Sequence, residues 1–183
     1  MIYPFTLQEI SLVLGALYLL SHGLALIRPT LCRDFLLAAP RNYPLGAVLM
    51  TVSTAWFTWL MASIDLMEYT RYQKIFAIVA LAGGALVIFF LRELLTGRAL
   101  GSLLLLVAYV LLDASFMRDE PLKLVLVCTA YAYIIAGMVL VSSPYRLRDV
   151  IQWIYQNERR AQIAAGLGLV FGAVLLVLGL TVF

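Results

Sequence analysis

Two side chains stand where an ionisable or metal-binding group is out of place. His22, the only histidine, lies in a long apolar run six residues before Arg28, about 9 Å deeper at a helical rise of about 1.5 Å per residue. A histidine so placed could ligate a haem iron or a chlorophyll magnesium, or serve a proton path. A bis-histidine haem needs a second imidazole, so a haem here would require a methionine or a partner's ligand, whereas chlorophyll needs only one axial ligand. The plainer alternative is a neutral imidazole hydrogen-bonded to a carbonyl or hydroxyl, with Ser21 and Tyr18 at hand. Asp113 follows Arg98 by fifteen residues, about 22 Å along a helix, against a hydrocarbon layer of about 30 Å. An acid at that depth is a candidate ion or proton site, unless Arg71, Lys74, Arg118 or Lys123 neutralises it at the interface. The same two readings apply to Glu9, at the mouth of the first apolar run.

No HExxH, GxSxG, Walker loop, CxxC, EF-hand loop or histidine cluster occurs in the sequence. No catalytic residue and no metal site is therefore predicted, and the expectation is a chain without enzymatic activity.

The elements that must position these residues are helices in lipid. Hydrophobic residues make up 64% of the 183 and charged ones 13%, more apolar surface than a soluble domain of this size can hide. In hydrocarbon an unpaired backbone amide costs several kcal/mol, and the absence of alternating apolar and polar positions argues against a barrel. The prediction is a single all-α domain over 1–183, a bundle of six transmembrane helices. Their expected spans are about 8–27, 45–64, 72–92, 99–117, 122–142 and 160–182. Two amphipathic helices are expected in the headgroup region, at about 30–39 and 144–157. In the second, Leu147, Val150, Ile151 and Ile154 share one face, and Ser143 with Pro144 would form its N-cap and first residue.

Basic residues orient the bundle. Arg28, Arg33, Arg41, Arg92, Arg98, Arg146, Arg148, Arg159 and Arg160 fall on alternate connections, and only Arg71, Lys74, Arg118 and Lys123 on the others. Arginine-rich connections are cytoplasmic. Both termini are thus expected on the non-cytoplasmic side, in a multi-pass protein of the kind found in a bacterial inner membrane. The opening residues lack a basic region and no small-residue cleavage site follows the first run, so that span is expected to be retained. Cys32 and Cys128 lie at opposite ends of the bundle in this reading, too far apart for a disulfide. A net charge of +3 is too small and dispersed for nucleic acid.

The last span carries Ala161, Ala164, Ala165, Gly168, Gly172 and Gly179 on or near one face. Small residues let helix backbones approach closely, and the stripe should contact either another span of this chain or a neighbouring subunit. A weaker stripe of Thr51, Thr54, Ala55, Thr58 and Ala62 marks the second span. Trp56, Trp59, Trp153 and Tyr155 are expected to anchor the interfaces. The three hairpins at the arginine-rich side share a loose pattern of stop, surface segment, arginine and glycine-led span, consistent with duplication and equally with shared physical demands.

The function expected from these features is a non-catalytic integral subunit or assembly factor of a larger membrane complex, with the bilayer and other membrane subunits or further copies of itself as partners. The alternatives are a small transporter or channel using Asp113 and His22, and a pigment- or haem-binding subunit using His22.

Overall fold

The computed structural model describes residues 5–64, 67–116, 118, 120 and 122–181. Among them are eight α-helices and no strand: α1 (Leu7–Ile27), α2 (Pro29–Ala38), α3 (Tyr43–Ser63), α4 (Gln73–Phe90), α5 (Leu95–Ser115), α6 (Lys123–Ser142), α7 (Tyr145–Tyr155) and α8 (Glu158–Thr181). Short 3-10 turns, Ala39–Arg41 and Met67–Tyr72, precede α3 and α4. All but the two short helices, α2 and α7, are long and apolar enough to cross a membrane, six in all. The expected end of the fourth span at Met117 and of the sixth at 182 lie outside the described residues.

Helix starts follow local chemistry. Thr6 and Glu9 form a capping box on α1: the Thr6 hydroxyl accepts from the Glu9 amide at 3.2 Å and Glu9 Oε2 accepts from the Thr6 amide at 2.9 Å. Glu9 therefore serves as a helix cap. Asn42 caps α3 through the Leu45 amide, and Gln73 at the head of α4 donates to the carbonyls of Ala62 and Ile64 at the tail of α3. The Ser143 side chain makes no cap bond; Pro144 stands at the N-cap of α7 with Tyr145 as its first residue.

One boundary differs materially from expectation. Residues 95–98, expected in a turn, form the first turn of α5. Leu94 adopts a left-handed φ of 51° that reverses the chain, and Thr96 and Gly97 are buried where the turn meets its neighbours. Gly97 is required there, because a Cβ would lie 2.9 Å from the Pro144 carbonyl oxygen.

The helices assemble as pairs. α1 runs antiparallel to α8, α5 antiparallel to α6, and α3 parallel to α5 and antiparallel to α4. Two of the seams close glycine on glycine. A Cβ on Gly15 would lie 2.9 Å from the Gly172 carbonyl oxygen, and one on Gly101 2.9 Å from that of Gly137. Such backbone proximity is how helices associate where lipid removes the hydrophobic drive. The α1·α8 pair then packs on the α5·α6 pair through Leu7, Leu14, Ala108, Leu111, Leu126, Ala130 and Leu175. α4 packs mainly on α3, with Gly84 opposite Thr54. At the arginine-rich end α2, α7, the turn before α3 and the start of α5 come together.

Candidate functional site

One group of polar side chains lies on α1, where it meets α8 and α6; another, Ser53 bonded to Ser102 at 2.8 Å, joins α3 to α5. Ser11, fully buried, donates to the Leu175 carbonyl at 2.6 Å across the α1·α8 seam. Two turns further along, the Tyr18 hydroxyl lies 2.9 Å from that of Tyr133 on α6. The Tyr18 ring also meets Phe171 of α8 edge-on, with centroids 5.2 Å apart.

His22 follows Tyr18 by one turn and is held by it. Its Nδ1 lies 3.0 Å from the Tyr18 carbonyl oxygen and 3.1 Å from the Ser21 hydroxyl. A carbonyl only accepts, so the ring proton belongs on Nδ1. The imidazole runs parallel to the Tyr18 ring, with centroids 5.3 Å apart and an interplanar angle of 1°. Against it stands Gly168 of α8, where a Cβ would fall 2.1, 2.3 and 2.5 Å from Cδ2, Nε2 and Cγ. Near-equal distances to three contiguous ring atoms place Gly168 over the face of the imidazole.

That arrangement does not suit an axial ligand. A tetrapyrrole bound at Nε2 stands across the imidazole and spreads beyond both ring faces, and the α8 backbone occupies one of them. None of the three grooves described below is lined by His22. In this arrangement His22 is the knob that fills the hole left by Gly168.

The small-residue stripe of α8 is likewise consumed inside the chain. Gly172 faces Tyr18, Gly15 and Leu19, and Gly179 faces Leu12. Ala165, Gly172 and Gly179 are buried, and Ala161, Ala164 and Gly168 half-buried. Gly168, Gly172 and Gly179 are thus packing positions against α1. Asp113 lies in the last turn of α5, half-buried and away from His22's end of the bundle. No long helix is interrupted midway, so the broken helices on which many transporters build mid-membrane sites are missing from the described residues.

The four aromatic anchors separate into two kinds. Trp59 and Trp153 are about half exposed, at 49% and 57%, and Arg160 sits over the Trp153 ring at 4.6 Å from its centroid. Trp56 instead packs with Leu60, Leu106 and Val110 between α3 and α5. Tyr155 is half-buried, and burial pushes its phenol above the ordinary range, with the Cys32 thiol adding to the effect. Both cysteines are free; Cys32 is buried and Cys128 exposed.

Three grooves flank the α1·α8 pair. The first, about 570 Å³, runs along α6 between Tyr18 and Phe171, and its lining includes Cys128 and Tyr133. A second of about 490 Å³ lies between α1, α3 and α5, with Trp56 and Glu9 on its walls. The third, about 370 Å³, opens at the arginine-rich end beside Arg33, Tyr155 and Glu158. No group of three or more His, Cys, Asp or Glu able to hold a metal occurs among the described residues.

Two signals escaped the sequence reading. Tyr133 sits eleven residues into α6, where a hydroxyl in an apolar helix must find a partner on another helix. The loose repeat also has a sharper core. Pro29-Thr-Leu-Cys-Arg33-Asp34 and Pro144-Tyr-Arg-Leu-Arg148-Asp149 share Pro-x-x-x-Arg-Asp, and the helices they open, α2 and α7, pack on each other. In α7 the pair closes as an ion pair, Arg148 to Asp149 at 3.0 Å.

These features describe an all-helical chain with six helices long and apolar enough to span a membrane, and a tyrosine–histidine cluster among the described residues. No protein-family model, curated protein or solved structure matches it.

Proposed function

We propose that this chain is a non-catalytic integral membrane protein that serves as a subunit or assembly factor of a larger membrane complex. In this reading the arginine-rich end faces the cytoplasm of a bacterial cell, both termini lie outside, and α2 and α7 rest in the inner headgroup layer. The observation that supports it is the flank formed by α4. Within α4 only Gly84 is buried, and Ile78, Val79, Leu86, Phe89 and Phe90 all project outward. A helix held mainly by one neighbour is the natural attachment point for helices of another membrane protein. The interior, by contrast, is closed by aliphatic and small residues and provides no polar passage that would favour transport.

The test is a photo-crosslinking amino acid at Leu86 or Phe89, with Ile163 on the outer face of α8 as the control, in native membranes. A discrete protein adduct from α4 but not from Ile163 supports the reading. Lipid adducts alone from both faces would refute it.

A further inference from the structure

The groove beside α6 contains a hydrogen-bond donor with nothing to donate to. The hydroxyls of Tyr18 and Tyr133 are 2.9 Å apart and make one bond between them. Two phenols carry two O–H protons, and that bond uses one. The other finds no acceptor among the described residues. Tyr18 is the twelfth residue of α1 and Tyr133 the eleventh of α6, so in a spanning bundle both lie near mid-membrane. Water is missing there, and phospholipid ester carbonyls sit about 15 Å away, half the hydrocarbon thickness. An unmatched donor in such surroundings favours whatever brings it an acceptor.

The rest of the lining specifies the kind of acceptor. Leu124, Val125, Ala132 and Phe171 are apolar, and the Thr129 hydroxyl is already spent on the Val125 carbonyl at 2.7 Å. No lining residue is charged, which excludes an ionic ligand. A second helix is a poor occupant, since its backbone carbonyls are bound within its own ladder. The groove is shallow and open along one side, about 570 Å³, and Phe171 with Tyr18 provides aromatic walls for a ring.

We propose that this groove binds a neutral, lipid-soluble carbonyl compound of the isoprenoid-quinone type, whose carbonyl oxygen accepts the spare tyrosine proton while its tail leaves along α6. The site belongs to the chain alone and does not depend on any assembly.

Cys128 lines the groove and is exposed, so it reports occupancy directly. The full chain carrying Cys32→Ser is reconstituted in phosphatidylcholine nanodiscs, and alkylation of Cys128 by N-ethylmaleimide is followed with decylubiquinone or with decylbenzene, which lacks an acceptor. Decylubiquinone should slow alkylation, decylbenzene should not, and the quinone carbonyl band should shift to lower frequency in the infrared. Because either hydroxyl can donate alone, the informative variant is Tyr18→Phe with Tyr133→Phe, which should weaken protection about tenfold. Equal protection by both compounds overturns the proposal, as does full protection in the double variant. Shielding of Cys128 before any probe is added, rising with protein density, means a second copy fills the groove and also overturns it. Should the double variant fail to fold, the two-compound comparison and the infrared shift in the unsubstituted tyrosine pair decide the matter.

Discussion

Replacing Gly172 with alanine adds one methyl where the α1 and α8 backbones approach closely. The new Cβ would stand 2.8 Å from Tyr18 Cβ, 3.0 Å from the Gly15 carbonyl oxygen and 3.0 Å from the Leu19 amide nitrogen. Carbon contacts are comfortable at about 3.5–4.0 Å, so the helices must part by roughly 0.5–1 Å. Two of the three obstacles are backbone, and no rotamer change relieves them. A gap of that size forfeits about a quarter to a half of each contact along the seam, and it stretches the Ser11 bond to Leu175. Overpacking of this kind costs about 1–3 kcal/mol, offset by about 0.5–1 kcal/mol from replacing a helical glycine. The net loss is on the order of 1–2 kcal/mol. The control is Gly166→Ala on the same helix, where a Cβ meets nothing within 4 Å and only the gain applies. In a Cys128→Ser background, thermal unfolding in detergent can be followed by a thiol-reactive dye reaching the buried Cys32. Gly172→Ala should lower the Tm by on the order of 5 °C, and Gly166→Ala should leave it unchanged or raise it. Equal Tm values for the two variants would refute the close-packed seam.

Further outcomes follow from the same geometry. Gly168→Ala drives a methyl into the His22 ring and should destabilise, whereas adding His22→Ala should recover part of the loss; a double-mutant cycle should show coupling of about 1 kcal/mol, and strict additivity would exclude the knob-and-hole contact. Gly97→Ala would place a Cβ 2.9 Å from the Pro144 carbonyl oxygen, prising α7 from the start of α5. Hydrogen exchange should then quicken in α7 while the α1·α8 seam keeps its protection, and an unchanged α7 would count against that contact.

Much of the helical pattern could be read from hydropathy, because six apolar runs of spanning length with few charges leave few alternatives. Failures arose where polar residues act locally. Thr96, Gly97 and Arg98 resemble a loop in isolation, yet they open α5 once Pro144 packs against Gly97. Glu9 looked like an interfacial acid, although Thr6 three residues earlier spells a capping box. For the site, His22 was visible as an oddity, but its counterpart was not. Gly168 lies 146 positions away in the sequence, and nothing local says which helix faces which. The same holds for Tyr18 and Tyr133, 115 apart. Periodicity gives faces, and only the pairing of helices turns a glycine stripe into a receptacle for a particular ring.

That pairing bears on how the protein is made. The main neighbour of α1 is α8, and more than a hundred residues separate the end of one from the start of the other. At ribosomal rates of about 5–20 residues per second, on the order of ten seconds pass between their syntheses. Throughout that interval Gly15 is an unfilled notch and the Ser11 hydroxyl lacks its carbonyl. A newborn first helix in this state is an open invitation to any passing small-faced segment, so insertion machinery that shelters it until translation nears completion would suit this architecture.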